Sequence, residues 1–139
     1  IPATDTPGAK DTLVHEFIIK MIKDCTGKKT QNNFIDGLKD LRAYCGNNYR
    51  VSYEDLNPGQ QEEVMEHYEN KAKSFNGLVA KAQNMFLGKP FFHILKEYTV
   101  EGYCTSQKGA TLGLNYLAVP GRFNGCTTLE PGQKAWATN

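Results

Sequence analysis

Apolar residues recur at helical spacing along most of the chain, and alternation of the strand type is scarce. Leu13, Val14, Phe17, Ile18, Met21 and Ile22 mark one amphipathic helix from about Lys10, with Gly27 expected to end it in a left-handed conformation. A second helix is predicted from about Thr30, with Phe34, Leu38 and Leu41 on one face and Tyr44 extending it. The turn formers in "CGNNYR" are expected to stop it. The third carries a start signal: Asn57 as N-cap, Pro58 in the first helical position, and Glu62 and Glu63 in the early turns. Val64, Met65, Tyr68 and Ala72 form its apolar side. A turn is expected near Asn76–Gly77. After an ambiguous stretch, Pro90 opens a fourth helix, "PFFHILKEYTVEGYCTSQ", in which Phe91, Phe92, Leu95, Tyr98 and Thr99 fit the 3.6-residue period.

The two ends break this pattern. "IPATDTPGA" holds two prolines and reads as an extended arm, while the chain beyond Gly109 is irregular and rich in Gly and Pro. The fold class is therefore all-α, a small helical bundle of about four main helices in a single domain. An arm occupies residues 1–9, the helical core 10–108 and a C-terminal coil 109–139. That coil is an unusual tail, because "NYLAVPGRFNGCTTLEPGQKAWA" carries aromatic residues, a cysteine and the only tryptophan of the chain.

Composition narrows the function classes. The 16 basic and 15 acidic side chains are dispersed and leave a net charge of +1, which gives no electrostatic footprint for nucleic acid. Apolar runs such as "MFLGKPFFHIL" fall short of the roughly 18–20 residues that span a bilayer, so no direct membrane span is expected. The start at Ile1, without a methionine, agrees with removal of an export signal before it.

Four cysteines, Cys25, Cys45, Cys104 and Cys126, lack the close spacing of a zinc or redox site. In an oxidising compartment they can pair, and free buried thiols are the alternative. A helix of about 15 residues between Cys25 and Cys45 would be roughly 22 Å long, whereas a disulfide needs Cα atoms within about 7 Å. Cys25–Cys45 is therefore the least expected bond; Cys104–Cys126, with the other two cysteines separate, is the expected one, and it would staple the tail to the last helix.

Catalytic constellations are weak. His93, Glu97 and Glu101 stand at i, i+4 and i+8 on one predicted helix, where they could bind a divalent metal or supply acid–base groups. The same spacing also builds an ordinary solvated helix face. His15 and His67 read as structural, and no GxSxG, GxGxxG, phosphate loop or HExxH is present. No catalytic, cofactor-binding or metal residue is assigned, and no cofactor is expected in this chain. Interface chemistry is better represented. Tyr98, Tyr103, Tyr116, Phe123 and Trp136 put amphipathic rings near the C-terminus beside Arg122, the residue types enriched at interface hot spots. Self-packing of these rings on the helices is the alternative.

Three segments, "PATDTPGAK", "TVEGYCTSQKGAT" and "NYLAVPGRFNGC" running into "GQKAWA", resemble the gluconate 2-dehydrogenase subunit 3 family. The resemblance covers nearly the whole chain, although Gly46 to Leu87 carries little of the signature. It implies a small subunit without flavin or haem, accompanying a large FAD-containing dehydrogenase of the glucose–methanol–choline type, often with a cytochrome subunit. It further implies a periplasmic location, a twin-arginine-type export signal, and assistance to the large subunit in folding, flavin loading or export. The family offers no catalytic residues to transfer. What matches is the motif itself, Thr99, Gly102, Tyr103, Ser106, Gly109, Tyr116, Pro120, Gly121, Arg122 and Trp136. From it Tyr103, Tyr116, Pro120, Gly121, Arg122, Phe123 and Trp136 are the candidate partner-facing residues.

Overall fold

A computed structural model describes residues 1–73, 88–119, 121, 126, 128 and 130–137. Four α-helices form among them: α1 (Val14–Lys20), α2 (Lys28–Tyr49), α3 (Pro58–Lys73) and α4 (Phe91–Thr105). Single π-helical turns extend α1 (Met21–Cys25) and follow α4 (Gly109–Gly113), and a 3₁₀ turn covers Tyr53–Asp55. Among the described residues there is no strand, only an isolated parallel bridge between Asn115 and Trp136. The chain is all-α, as its periodicity predicts. The turn expected near Asn76–Gly77 lies outside the described residues.

The chain divides into two compact units: Ile1–Ile19 with Tyr98–Asn139, and Lys20–Glu97. In the second unit, Ile22, Phe34, Leu41, Cys45, Leu56, Val64, Tyr68, Ala72, Phe91 and Ile94 are buried. Burying a side chain such as Ile94 or Val64 contributes about 1.5–3 kcal/mol. Aromatic packing joins three helices there: Phe91 of α4 lies 5.5 Å from Phe34 of α2 and 5.9 Å, edge on, from Tyr68 of α3. Phe91 also covers Gly37, where any Cβ would collide with its ring. Asn33 Nδ2 donates to the Lys89 carbonyl (3.2 Å), which ties α2 to the residues that lead into α4.

The start of α3 is legible in its capping residues. Asn57 Oδ1 accepts from the Gln60 N–H (2.9 Å), while Gln60 Oε1 accepts from the Asn57 N–H (3.1 Å). This reciprocal box satisfies two otherwise unpaired donors, and its Asn half is worth about 1 kcal/mol.

Other boundaries differ from expectation. α1 begins at Val14 and not Lys10, because Leu13 takes φ 55° and interrupts helical geometry. Gly27 is not a left-handed stop: at φ −72° it is extended and serves as N-cap of α2. α2 runs through Cys45, Gly46, Asn47 and Asn48, which were expected to end it, and stops at Arg50 with φ 64°. Burial of Cys45, which has no exposed surface, anchors this extra turn. Tertiary packing here overrides local propensity. A non-glycine residue in the left-handed region costs roughly 1 kcal/mol, offset in part by the Arg50 N–H bond to the Gly46 carbonyl (3.2 Å). The N-terminal arm is curled, not extended: the Ala9 N–H donates to the Ile1 carbonyl (3.0 Å), and the Gly8 N–H to Asp11 Oδ2 (2.8 Å).

Candidate functional site

The first unit contains the signature residues, and their chemistry is that of a tightly stitched support. Gly102 lies on α4 where a Cβ would stand 2.7 Å from Phe17 Cδ1 and 3.3 Å from Val14 Cγ1 of α1, so only glycine allows this approach. Tyr103 is 8% exposed. Its phenol lies over Gly113 in the following π-turn, leaving no room for a Cβ there. Ser106, just past the end of α4, donates through Oγ to the Tyr103 carbonyl (2.8 Å) and accepts from the Gly109 N–H (3.0 Å). Its backbone carbonyl then accepts from the Ala110 N–H (2.9 Å). These bonds carry the chain from α4 into the π-turn without leaving polar groups unpaired.

The tail is fastened to that support in two ways. Lys134 Nζ donates to the Leu112 carbonyl (2.7 Å). The Asn115 N–H donates to the Ala135 carbonyl (2.7 Å), and the Ala137 N–H to the Asn115 carbonyl (3.0 Å). Here the sequence reading held Tyr103, Tyr116 and Trp136 together as candidate interface residues, but the structure separates them. Tyr103 supports the surface from inside. Tyr116 and Trp136 stay about half exposed, at 47% and 48%. Gly121 is exposed with φ 68°. Pro120, Arg122 and Phe123 lie outside the described residues.

Three exposed apolar residues escaped the sequence reading: Leu112, Leu117 and Val119, the last at 79% exposure. Their only signal was apolar character in a stretch without helical or strand period, which does not distinguish burial from display. Together with Tyr116 and Trp136 they give the segment around the Asn115–Trp136 bridge an apolar surface that its own fold does not cover.

The other unit carries an apolar-lined cleft between α2, α3 and α4. A cavity of about 260 Å³ is lined by Asp36, Asp40, Tyr68, Lys71, Phe91 and Phe92 among others. Asp40 Oδ2 accepts from Tyr68 Oη (3.1 Å) and Lys71 Nζ (3.0 Å). The Lys71 bond holds the Asp40 carboxyl below its ordinary pKa. Burial, then the charge of Asp40, pushes the Tyr68 phenol well above its usual value. These shifts favour the carboxylate of Asp40 and the neutral phenol of Tyr68.

The acid–base or metal reading of His93, Glu97 and Glu101 gains no support. Both oxygens of Glu97 accept from Lys89 Nζ (2.9 and 2.6 Å). Among the described residues no group of three His, Cys, Asp or Glu side chains is placed to hold a metal ion. All four cysteines are free thiols, with Cys45 buried, Cys104 partly buried, and Cys25 and Cys126 exposed, so Cys104 and Cys126 are not bonded to each other here. No described helix is long and apolar enough to cross a membrane.

No curated protein and no solved structure matches the chain. A family model described as Gluconate 2-dehydrogenase subunit 3 matches residues 1–121, which includes the α4 signature and Leu112, Tyr116, Leu117 and Val119. The chain belongs to the gluconate 2-dehydrogenase subunit 3 family.

Proposed function

We propose that this protein is a non-catalytic accessory subunit of a periplasmic, FAD-dependent sugar or gluconate dehydrogenase of the glucose–methanol–choline type. Its large flavoprotein partner performs the redox chemistry, and a cytochrome subunit can complete the complex. This chain assists folding, flavin loading or export of the large subunit after twin-arginine-type targeting. Family membership supports the coarse role, a subunit of a dehydrogenase complex. The observation that carries the finer reading is the uncovered apolar set Leu112, Tyr116, Leu117, Val119 and Trp136, mounted on the signature scaffold. Interface energy concentrates in a few residues, with Tyr and Trp enriched among them, the types that Tyr116 and Trp136 supply.

The test is capture of the tagged protein from its native host, read by flavin absorbance and mass spectrometry. A yellow eluate with a near-stoichiometric large flavoprotein is expected, and it should be lost on combined Tyr116→Ala and Trp136→Ala substitution. A colourless chain that elutes alone would overturn the stable-complex role.

A further inference from the structure

A second surface feature lies in the Lys20–Glu97 unit, on residues outside the signature. Arg42, Gly46 and Arg50 stand four residues apart and form a row along the end of α2. With Val51, Ser52 and Asp55 they line an open groove of about 400 Å³. Two of the chain's three arginines are therefore gathered in one concavity. Neither guanidinium has a hydrogen-bond or ion-pair partner among the described residues, although five lysine–carboxylate pairs form elsewhere in this unit.

Three details of the groove are unaccounted for by folding. Gly46 occupies a helix interior, where glycine is unfavourable, yet a Cβ there would meet nothing within 4 Å. Its effect is to leave bare backbone between the two arginines, open to close approach. Arg50 takes the left-handed cap position (φ 64°), which glycine or asparagine usually fills. Ser52 precedes the 3₁₀ turn without capping it through its hydroxyl. Two guanidiniums against the single carboxylate of Asp55 leave the lining at a net charge of +1. The carbonyls at the end of α2 oppose any anion, so both arginines are needed to hold one.

We propose that this groove binds an acidic peptide segment of a protein partner. Its carboxylates would be held by Arg42 and Arg50 in forked hydrogen bonds, and a neighbouring apolar side chain would rest on Val51, itself 42% exposed. An extended segment uses the bare backbone and Val51, which a small free anion cannot. The inference does not depend on the dehydrogenase role, because it involves neither the signature nor the tail.

The test is titration of the full ¹⁵N-labelled chain with the blocked peptide acetyl-Glu-Leu-Asp-Glu-amide, followed at the amides of Gly46, Val51 and Ser52. Saturable shifts at these three positions are expected. Arg42→Gln should weaken binding by about tenfold, the loss of one charge-assisted contact. Arg50→Gly should weaken it similarly while leaving the melting temperature unchanged or raised, since glycine relieves the left-handed strain. That combination separates recognition from folding. The proposal is overturned by any of three results: no saturable shift, equal binding of the Gln/Asn analogue of the peptide, or inorganic phosphate binding as tightly as the peptide.

Discussion

The two units solve opposite problems with similar secondary structure. Of the thirteen buried core residues among the described residues, ten lie in the Lys20–Glu97 unit and Val14, Ile18 and Tyr103 in the other. Of the twelve described large hydrophobic residues that are exposed, three (Ile35, Leu38 and Val51) lie in the former and nine in the latter. All five ion pairs among the described residues are in the Lys20–Glu97 unit as well. Among the described residues, one unit thus buries most of its large apolar side chains and holds the ion pairs. The other holds its backbone with hydrogen bonds and close glycine contacts, and displays apolar side chains. A region that spends few of its hydrophobic residues on its own core has them free for a partner, which is why the docking reading rests there.

Substitutions sharpen this contrast, beginning with the core. Ile94→Ala should destabilise the Lys20–Glu97 unit by about 3 kcal/mol, since the side chain is 1% exposed. Urea unfolding followed by near-ultraviolet tyrosine dichroism measures it. A loss under 1 kcal/mol would show that this unit is not the well-packed one.

Gly102→Val should cost about 2–3 kcal/mol in the other unit, because the new side chain meets Phe17 and Val14. Fluorescence of Trp136, the only tryptophan, reports it. The display residues should behave in the reverse sense. Tyr116→Ala, at a half-exposed site, should change the isolated chain's stability by less than about 0.5 kcal/mol. It should nonetheless weaken capture of the partner by about tenfold or more, as loss of a hot-spot side chain does. Equal effects on both would make the tail a self-packing element.

Ser106→Ala removes the hydroxyl that bonds to both the Tyr103 carbonyl and the Gly109 N–H, a loss of about 1 kcal/mol in the same fluorescence assay.

The smallest effect is electrostatic. Asp40 titrates below its ordinary value in the folded chain, chiefly through Lys71, so its contribution is present above the unfolded carboxyl pKa near 3.9. It is lost as pH falls through the lower folded value. Asp40 is 54% exposed and Lys71 58%, so solvent screening limits the contribution to a few tenths of a kcal/mol. Asp40→Asn should therefore cost that amount at neutral pH and nothing below the folded carboxyl pKa, which flattens the acid limb of the stability curve. Tyr68 acts at the other end. Its raised phenol pKa stabilises the fold below the unfolded value near 10, and that stability falls as pH rises further. Tyr68→Phe should lessen the alkaline decline, the rest of which comes from Cys45, Tyr49 and Tyr53, whose pKa values are also raised.

Much of the architecture was written locally. Helical spacing identified all four described helices, and Asn57 with Pro58 placed the start of α3 to the residue. These features rest on contacts three or four residues apart, so a single sequence contains both partners of each contact. The resemblance to the family was likewise carried by short local strings, and the match over residues 1–121 agrees with it.

What the sequence left open depended on distant residues. Nothing in "CGNNYR" announces that α2 continues through it; burial of Cys45 decides that. Tyr103, Tyr116 and Trp136 look alike as isolated aromatic residues in the chain. Only the folded chain buries the first over Gly113 and leaves the other two exposed beside the Asn115–Trp136 bridge. The row of Arg42, Gly46 and Arg50 becomes a groove only because the helix extends to Tyr49 and Ser52 and Asp55 fold back beside it. Local periodicity selects the elements, because it depends on neighbours along the chain. Which side chains are covered is set by what packs against them from elsewhere, and that is decided only when the tertiary structure forms.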